Sequence, residues 1–197
     1  MNKLYILALL SILLLIGCKV AGTDNVLAPA IKTDQTQKTV SFLRLPSSLE
    51  PRTLYKAGSF LITPQTGGNL KYSDSYQSAY GIVSINIILH FPPNAVSDSI
   101  IVSFNVSQDG LTGDFGVTFG PTPNSFLLPA LLTFRVKGLD PAILPSDPAN
   151  IQFVCMDNGT YVPVNASHIF ADVKHGSLSV VNAEIFHFSK YGWSNIR

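Results

Sequence analysis

The sequence predicts an all-β fold, an antiparallel β-sandwich of about ten strands. Three observations predict it. Only 13% of the residues are charged, and 13 Pro and 14 Gly stand among many Val, Ile, Phe, Ser and Thr residues, which is typical of short strands joined by turns. Apolar residues recur at every second position in several segments, as half-buried strands require. Beyond the N-terminal apolar run, no segment shows the 3.6-residue period of an amphipathic helix.

Two segments carry the clearest alternation. Apolar side chains occupy every second position from Val83 to Phe91, and again from Ile100 to Val106. The intervening Pro92-Pro93-Asn94 breaks the pattern, because proline cannot donate to a strand ladder and asparagine tolerates the left-handed region. We therefore expect two half-buried strands separated by a turn.

Turn residues predict two hairpins near the C-terminus. Asp157-Asn158-Gly159 separates apolar segments 151–156 and 160–164, and Asn-Gly is the strongest short hairpin signal. Lys174-His175-Gly176 separates segments 169–173 and 177–181 in the same way. The other predicted strands are 40–45, 59–63, 69–72, 115–119, 131–137 and a final strand 184–193, and the polar run 73–78 is predicted to be a loop.

The N-terminus has the pattern of an export signal. Lys3 precedes an apolar run from Leu4 to Ile16, which is shorter than the roughly 20 residues that a membrane-spanning helix needs. An uncleaved transmembrane helix and an ordinary soluble export signal are the alternatives.

Leu15-Ile16-Gly17-Cys18 resembles the lipobox of bacterial lipoproteins. The resemblance implies cleavage after Gly17 and a diacylglyceryl group on the Cys18 sulfur. Together with the few large apolar side chains of residues 19–39, it divides the chain into a signal peptide (1–17), a lipidated tether (18–39) and a folded domain (40–197). An irregular but docked N-terminal arm is the alternative to the tether. The expected location is the bacterial cell envelope, attached to the membrane through the lipid on Cys18, and to the outer membrane if the cell has one.

Charge and composition exclude several function classes. Without Lys3, 12 Lys and Arg balance 12 Asp and Glu, whereas a nucleic-acid-binding protein would carry a basic excess. No cofactor or metal site is predicted, because the four His residues lack ligand-like spacing. Cys155 lies in an apolar strand and is expected to be a small buried hydrophobe without a disulfide.

Four motifs in order resemble the ZU-five type domain of ankyrins, netrin receptors and zonula occludens proteins, in its bacterial surface versions. They are Gly67-Gly68-Asn69-Leu70; Phe91-Pro92-Pro93-Asn94-Ala95; Phe119-Gly120-Pro121 followed by Phe126, Pro129 and Leu132; and His187-Phe188-Ser189-Lys190-Tyr191. The resemblance covers about residues 58–193 and implies an antiparallel β-sandwich. Asn94 and Pro123 stand where the family often has Gly. A fold alone transmits no function.

The tripeptide His187-Phe188-Ser189 is the candidate for chemistry. In some relatives of this domain the same tripeptide cleaves itself between Phe and Ser: the Ser hydroxyl attacks the preceding carbonyl and the His accepts its proton. His187 and Ser189 would share one face of a strand. The alternative is that Phe186 and Phe188 face the core and His187 and Ser189 lie on the polar face of a closing strand.

Tyr72, Tyr76 and Tyr80 are the candidates for binding, as aromatic tips on a polar loop that would contact a glycan or a protein. An ordinary solvated loop is the alternative. The sequence thus favours a lipid-anchored structural or interaction module, not an enzyme, with an envelope protein or a glycan as its partner. Self-cleavage between Phe188 and Ser189 and surface glycan binding are the alternatives.

Overall fold

In a computed structural model of the chain, the structure describes residues 40–49, 55–108, 114–121 and 125–196. These residues form two antiparallel sheets packed against each other, and the predicted all-β sandwich is confirmed. The described residues contain twelve strands, close to the predicted number of about ten. Cys18 and the predicted signal peptide and tether lie outside the described residues. None of the helices in the described ranges has the length and apolar character that crossing a membrane requires.

The twelve strands of the described residues are numbered in chain order. They are β1 (Val40–Phe42), β2 (Tyr55–Ile62), β3 (Gly68–Ser78), β4 (Gly81–Phe91), β5 (Ile100–Gln108), β6 (Phe115–Gly120), β7 (Ser125–Lys137), β8 (Ile151–Asp157), β9 (Thr160–Pro163), β10 (Ala166–Asp172), β11 (Ser177–His187) and β12 (Lys190–Ile196). One turn of 3-10 helix, Pro148–Asn150, precedes β8, and the Asp147 carboxylate caps it by accepting from the Ala149 backbone N–H.

Strand β12 organises the seven-stranded sheet. The order is β2-β5-β6-β12-β8-β9, and β1 also pairs with β12. One side of β12 pairs with β8 from Lys190 to Asn195. The other side is shared, since β6 pairs with its first two residues and β1 with its last three. Because one strand holds three others, the C-terminal segment is central to this sheet.

The five-stranded sheet has the order β10-β11-β7-β4-β3. Strand β3 pairs with β4 over its whole length, from Gly68 opposite Phe91 to Ser78 opposite Gly81. The prediction of a loop over 73–78 is therefore wrong. The polar composition of this run did not indicate a strand, but its hairpin partner, the strongly alternating β4, supplies the ladder that local propensity does not.

Alternation in the two best-patterned segments is confirmed. In β4, Val83, Ile85, Ile87, Leu89 and Phe91 are each at most 1% exposed. In β5, Val102 and Val106 are buried, and Ile100 and Phe104 pack against the core. Edge-to-face rings join the sheets, from Phe115 to Phe134 to Phe153 to Trp193, with centroids 5.3, 5.9 and 5.3 Å apart.

Both predicted hairpins are confirmed. Asn158 and Gly159 have positive φ angles of 48° and 79° at the β8–β9 turn, as the tight hairpin turn requires. At the β10–β11 turn, Gly176 has φ 59°, and a Cβ there would lie 2.1 Å from the Leu139 carbonyl oxygen. Only glycine fits that close approach.

Candidate functional site

The tripeptide His187-Phe188-Ser189 lies where the chain passes from one sheet to the other. Strand β11 of the five-stranded sheet ends at His187, and β12 of the seven-stranded sheet begins at Lys190. The prediction of one final strand over 184–193 is therefore wrong. The two halves of that segment pair with strands of different sheets. Phe188 and Ser189, which connect β11 to β12, are called the crossing below.

Phe188 is the buried side chain of the crossing. It is 4% exposed, and its ring lies edge-on to Phe126 at 4.8 Å and to Phe91 at 6.2 Å. The alternative interpretation of the tripeptide placed Phe186 in the core as well, but Phe186 is 51% exposed, so that part of the alternative is wrong. The register between β11 and β7 is irregular between Ile185 and His187, and such an irregularity changes which side chain points inward.

The hydroxyl of Ser189 forms its hydrogen bond with another strand and not with the peptide bond it would attack. Its Oγ donates a hydrogen bond to the backbone carbonyl oxygen of Met156 on β8. The Ser189 carbonyl oxygen accepts a bond from the Phe119 backbone N–H at 3.0 Å. Both contacts tie the crossing to the seven-stranded sheet.

His187 contacts the carbonyl group of the candidate peptide bond. Its Nδ1 lies 3.3 Å from the Phe188 carbonyl oxygen. The carbonyl oxygen of His187 itself accepts a 2.6 Å hydrogen bond from the Tyr191 hydroxyl. Among the described contacts, therefore, the imidazole meets the carbonyl oxygen and not the Ser189 hydroxyl. In the tautomer with hydrogen on Nδ1, the ring donates to that oxygen.

Burial governs the chemistry around the crossing. It raises the pKa of the Tyr191 phenol far above its ordinary value, with smaller contributions from Cys155 and Asp157. Cys155 is a free thiol and is buried, as predicted, and burial raises its pKa as well. Neither group ionises near neutral pH, and the Tyr191 hydroxyl remains a hydrogen-bond donor.

The three candidate tyrosines do not form one exposed surface. Tyr72 on β3 is 4% exposed, and its hydroxyl donates to Asp74 at 3.1 Å. Tyr76 is half-buried against the core, and its hydroxyl donates to the Pro46 carbonyl at 2.7 Å. Tyr80, in the turn after β3, is 58% exposed, and its hydrogen bond with Asp140 raises its pKa. Only Tyr80 is thus presented to a large ligand such as a glycan.

His90 and His175 take separate local partners. Nδ1 of His90 lies 2.8 Å from Asn69 Oδ1, and Nδ1 of His175 lies 2.8 Å from Asp172 Oδ2, which lowers the pKa of that carboxyl. No three His, Cys, Asp or Glu side chains within the described ranges come together as metal ligands.

Sequence reasoning missed three groups that hold the tripeptide. They are the Met156 carbonyl oxygen, the Phe119 backbone N–H and the Tyr191 hydroxyl. The first contact depends on the pairing of β8 with β12, which no local pattern reveals.

Comparison of the chain with protein-family models, with curated proteins and with solved structures found no match. The ZU-five resemblance therefore stays a prediction.

Replacing Tyr191 by Phe tests the buried phenol. We expect Tyr191→Phe to lower the free energy of unfolding by about 1 kcal/mol at neutral pH, because the hydrogen bond to the His187 carbonyl is lost. Since the folded-state pKa is raised, the neutral phenol stabilises the wild-type fold up to a pH of about 10, and this contribution is lost as the pH rises further.

Urea unfolding at several pH values measures both effects. Above a pH of about 10, the wild-type free energy of unfolding should fall by up to about 1.4 kcal/mol per pH unit more than that of Tyr191→Phe. Equal slopes in the two proteins would contradict the assignment of a raised pKa to Tyr191.

Proposed function

We propose that this chain is a lipid-anchored β-sandwich of the bacterial cell envelope, with a structural or interaction role and no catalytic turnover. Leu15-Ile16-Gly17-Cys18 supports the anchor. The observation that carries the non-catalytic role is the arrangement at the crossing. The Ser189 hydroxyl is bonded to the Met156 carbonyl, and Phe188 is packed between Phe91 and Phe126. In this proposal the tripeptide has a structural role, which is to connect the two sheets.

The neutral balance of the mature chain and the ZU-five resemblance support the same role. A neutral, compact sandwich suits contact with an envelope protein or a glycan better than with nucleic acid. A lipid with two or three acyl chains makes membrane attachment lasting, since each buried methylene contributes about 0.8 kcal/mol and a single chain binds only marginally.

Substitution of Cys18 tests the anchor. The Cys18→Ala chain should leave the membrane fraction of the cell, because it has no sulfur to carry the diacylglyceryl group. The fractions are separated by ultracentrifugation and probed with an antibody. Cys155→Ala is the matched control: it removes the other thiol, which is buried in the sandwich, and should remain with the membrane. Membrane retention of Cys18→Ala would refute the anchor.

A second candidate function is a single self-cleavage between Phe188 and Ser189. The contact that favours it is the 3.3 Å approach of His187 Nδ1 to the Phe188 carbonyl oxygen. The Ser189 Oγ would attack that carbonyl carbon and pass its proton through His187 to the leaving backbone nitrogen. The amide C–N bond breaks and an ester forms, and water then opens the ester to a Phe188 carboxylate. The hydroxyl must first leave the Met156 carbonyl.

Intact-mass measurement of the purified protein separates the two candidates. A structural crossing predicts one uncut mass for the wild type and for Ser189→Ala. Ser194→Ala is the control, since Ser194 also donates its hydroxyl to a β8 carbonyl, that of Gln152, at 3.4 Å. A fragment that ends at Phe188 in the wild type and in Ser194→Ala, and is absent from Ser189→Ala, would replace the structural assignment by self-cleavage.

A further inference from the structure

A groove opens beside the end of β1 and the last residues of β12 in the seven-stranded sheet. It has a volume of about 380 Å³ and lies far along β12 from the tripeptide. Within the described part of the chain, its lining residues are Ser41, Phe42, Leu43, Arg44, Ile143 and Asn195. The volume is within the range of about 300–1,000 Å³ that small-ligand sites occupy.

The amide of Asn195 is the buried polar group of this groove. Asn195 is 6% exposed, and its Oδ1 has no hydrogen-bond partner among the described residues. Buried side-chain amides in folded proteins almost always have a partner, and one without a protein partner points to a ligand or a bound solvent molecule. An amide can accept a hydrogen bond at Oδ1 and donate two from Nδ2.

The guanidinium group of Arg44 supplies a positive charge at the groove. Its side chain is exposed and lines the same groove, and no carboxylate in the described part of the chain lies within ion-pair distance of it. A guanidinium group binds a carboxylate through two parallel hydrogen bonds. Leu43 and Ile143 give the groove an apolar wall, and Ile143 is 40% exposed.

We propose that this groove binds the carboxylate end of a short peptide. Arg44 pairs with the terminal carboxylate, and Oδ1 of Asn195 accepts a hydrogen bond from the N–H of the last peptide group. A small side chain of the peptide contacts Leu43 and Ile143. The three features together match a peptide terminus, whereas a fully ionised phosphate has no hydrogen to donate to the amide oxygen and no carbon to contact the apolar wall. The inference rests on the proposed interaction role but not on the lipid anchor.

Titration of the full chain in detergent micelles tests the proposal. The probe is acetyl-alanyl-alanine, and its C-terminal amide is the matched ligand without a carboxylate. Binding is followed by calorimetry and by the NMR signal of the Asn195 side-chain NH₂. The carboxylate probe should bind saturably and shift that signal, the amide probe should bind at least about tenfold weaker, and Arg44→Gln should weaken carboxylate binding by a similar factor.

Arg135→Gln is the control variant, because Arg135 is an exposed arginine on β7 of the other sheet. It should bind the probe as the wild type does. The proposal is overturned by any of three results: no saturable binding at millimolar probe, equal binding of the two probes, or an Arg44→Gln variant that binds like Arg135→Gln. If the probe fails while Cys18→Ala still releases the chain from the membrane, only the groove assignment is lost.

Discussion

The burial of Phe188 is the constraint on which the two-sheet arrangement depends. The backbone on one side of this residue belongs to the five-stranded sheet and on the other side to the seven-stranded sheet. The ring lies against Phe126 and Phe91, which come from β7 and β4 of the five-stranded sheet. Burying an aromatic ring of this size contributes about 1.5–3 kcal/mol from area alone. The crossing is thereby fixed where the sheets meet.

Hydrogen bonds of Ser189 and Tyr191, close to the Phe188 ring, attach the crossing to the seven-stranded sheet as well. The Ser189 hydroxyl bonds to β8, its carbonyl bonds to β6, and the Tyr191 hydroxyl reaches back to the end of β11. Backbone groups at a crossing between sheets lose their ladder partners, and leaving them unpaired in the interior would be costly. The side chains of Ser189 and Tyr191 thus have a physical role that requires no catalysis.

The sequence predicts the elements whose signal is local. The period of two in 83–91, the apolar positions of 131–137 and the Asn158-Gly159 turn all appear in the structure as expected. The wrong predictions are at segments whose structure depends on the strand with which they pair. The polar residues 73–78 become strand because β4 lies beside them, and 184–193 divides because its two halves pair in different sheets. The contact of Ser189 with Met156 and the groove at Asn195 join distant segments, and no local pattern marks them.

The neighbouring aromatic residues on either side of His187 allow the most direct measurement of the central claim. Phe188→Ala and Phe186→Ala remove the same ring from adjacent sites, one 4% and the other 51% exposed. Urea unfolding of the full chain should show a loss of about 3–5 kcal/mol for Phe188→Ala and a change within about 0.5 kcal/mol for Phe186→Ala. Equal losses, or a larger loss for Phe186→Ala, would contradict a sandwich held together by the buried crossing.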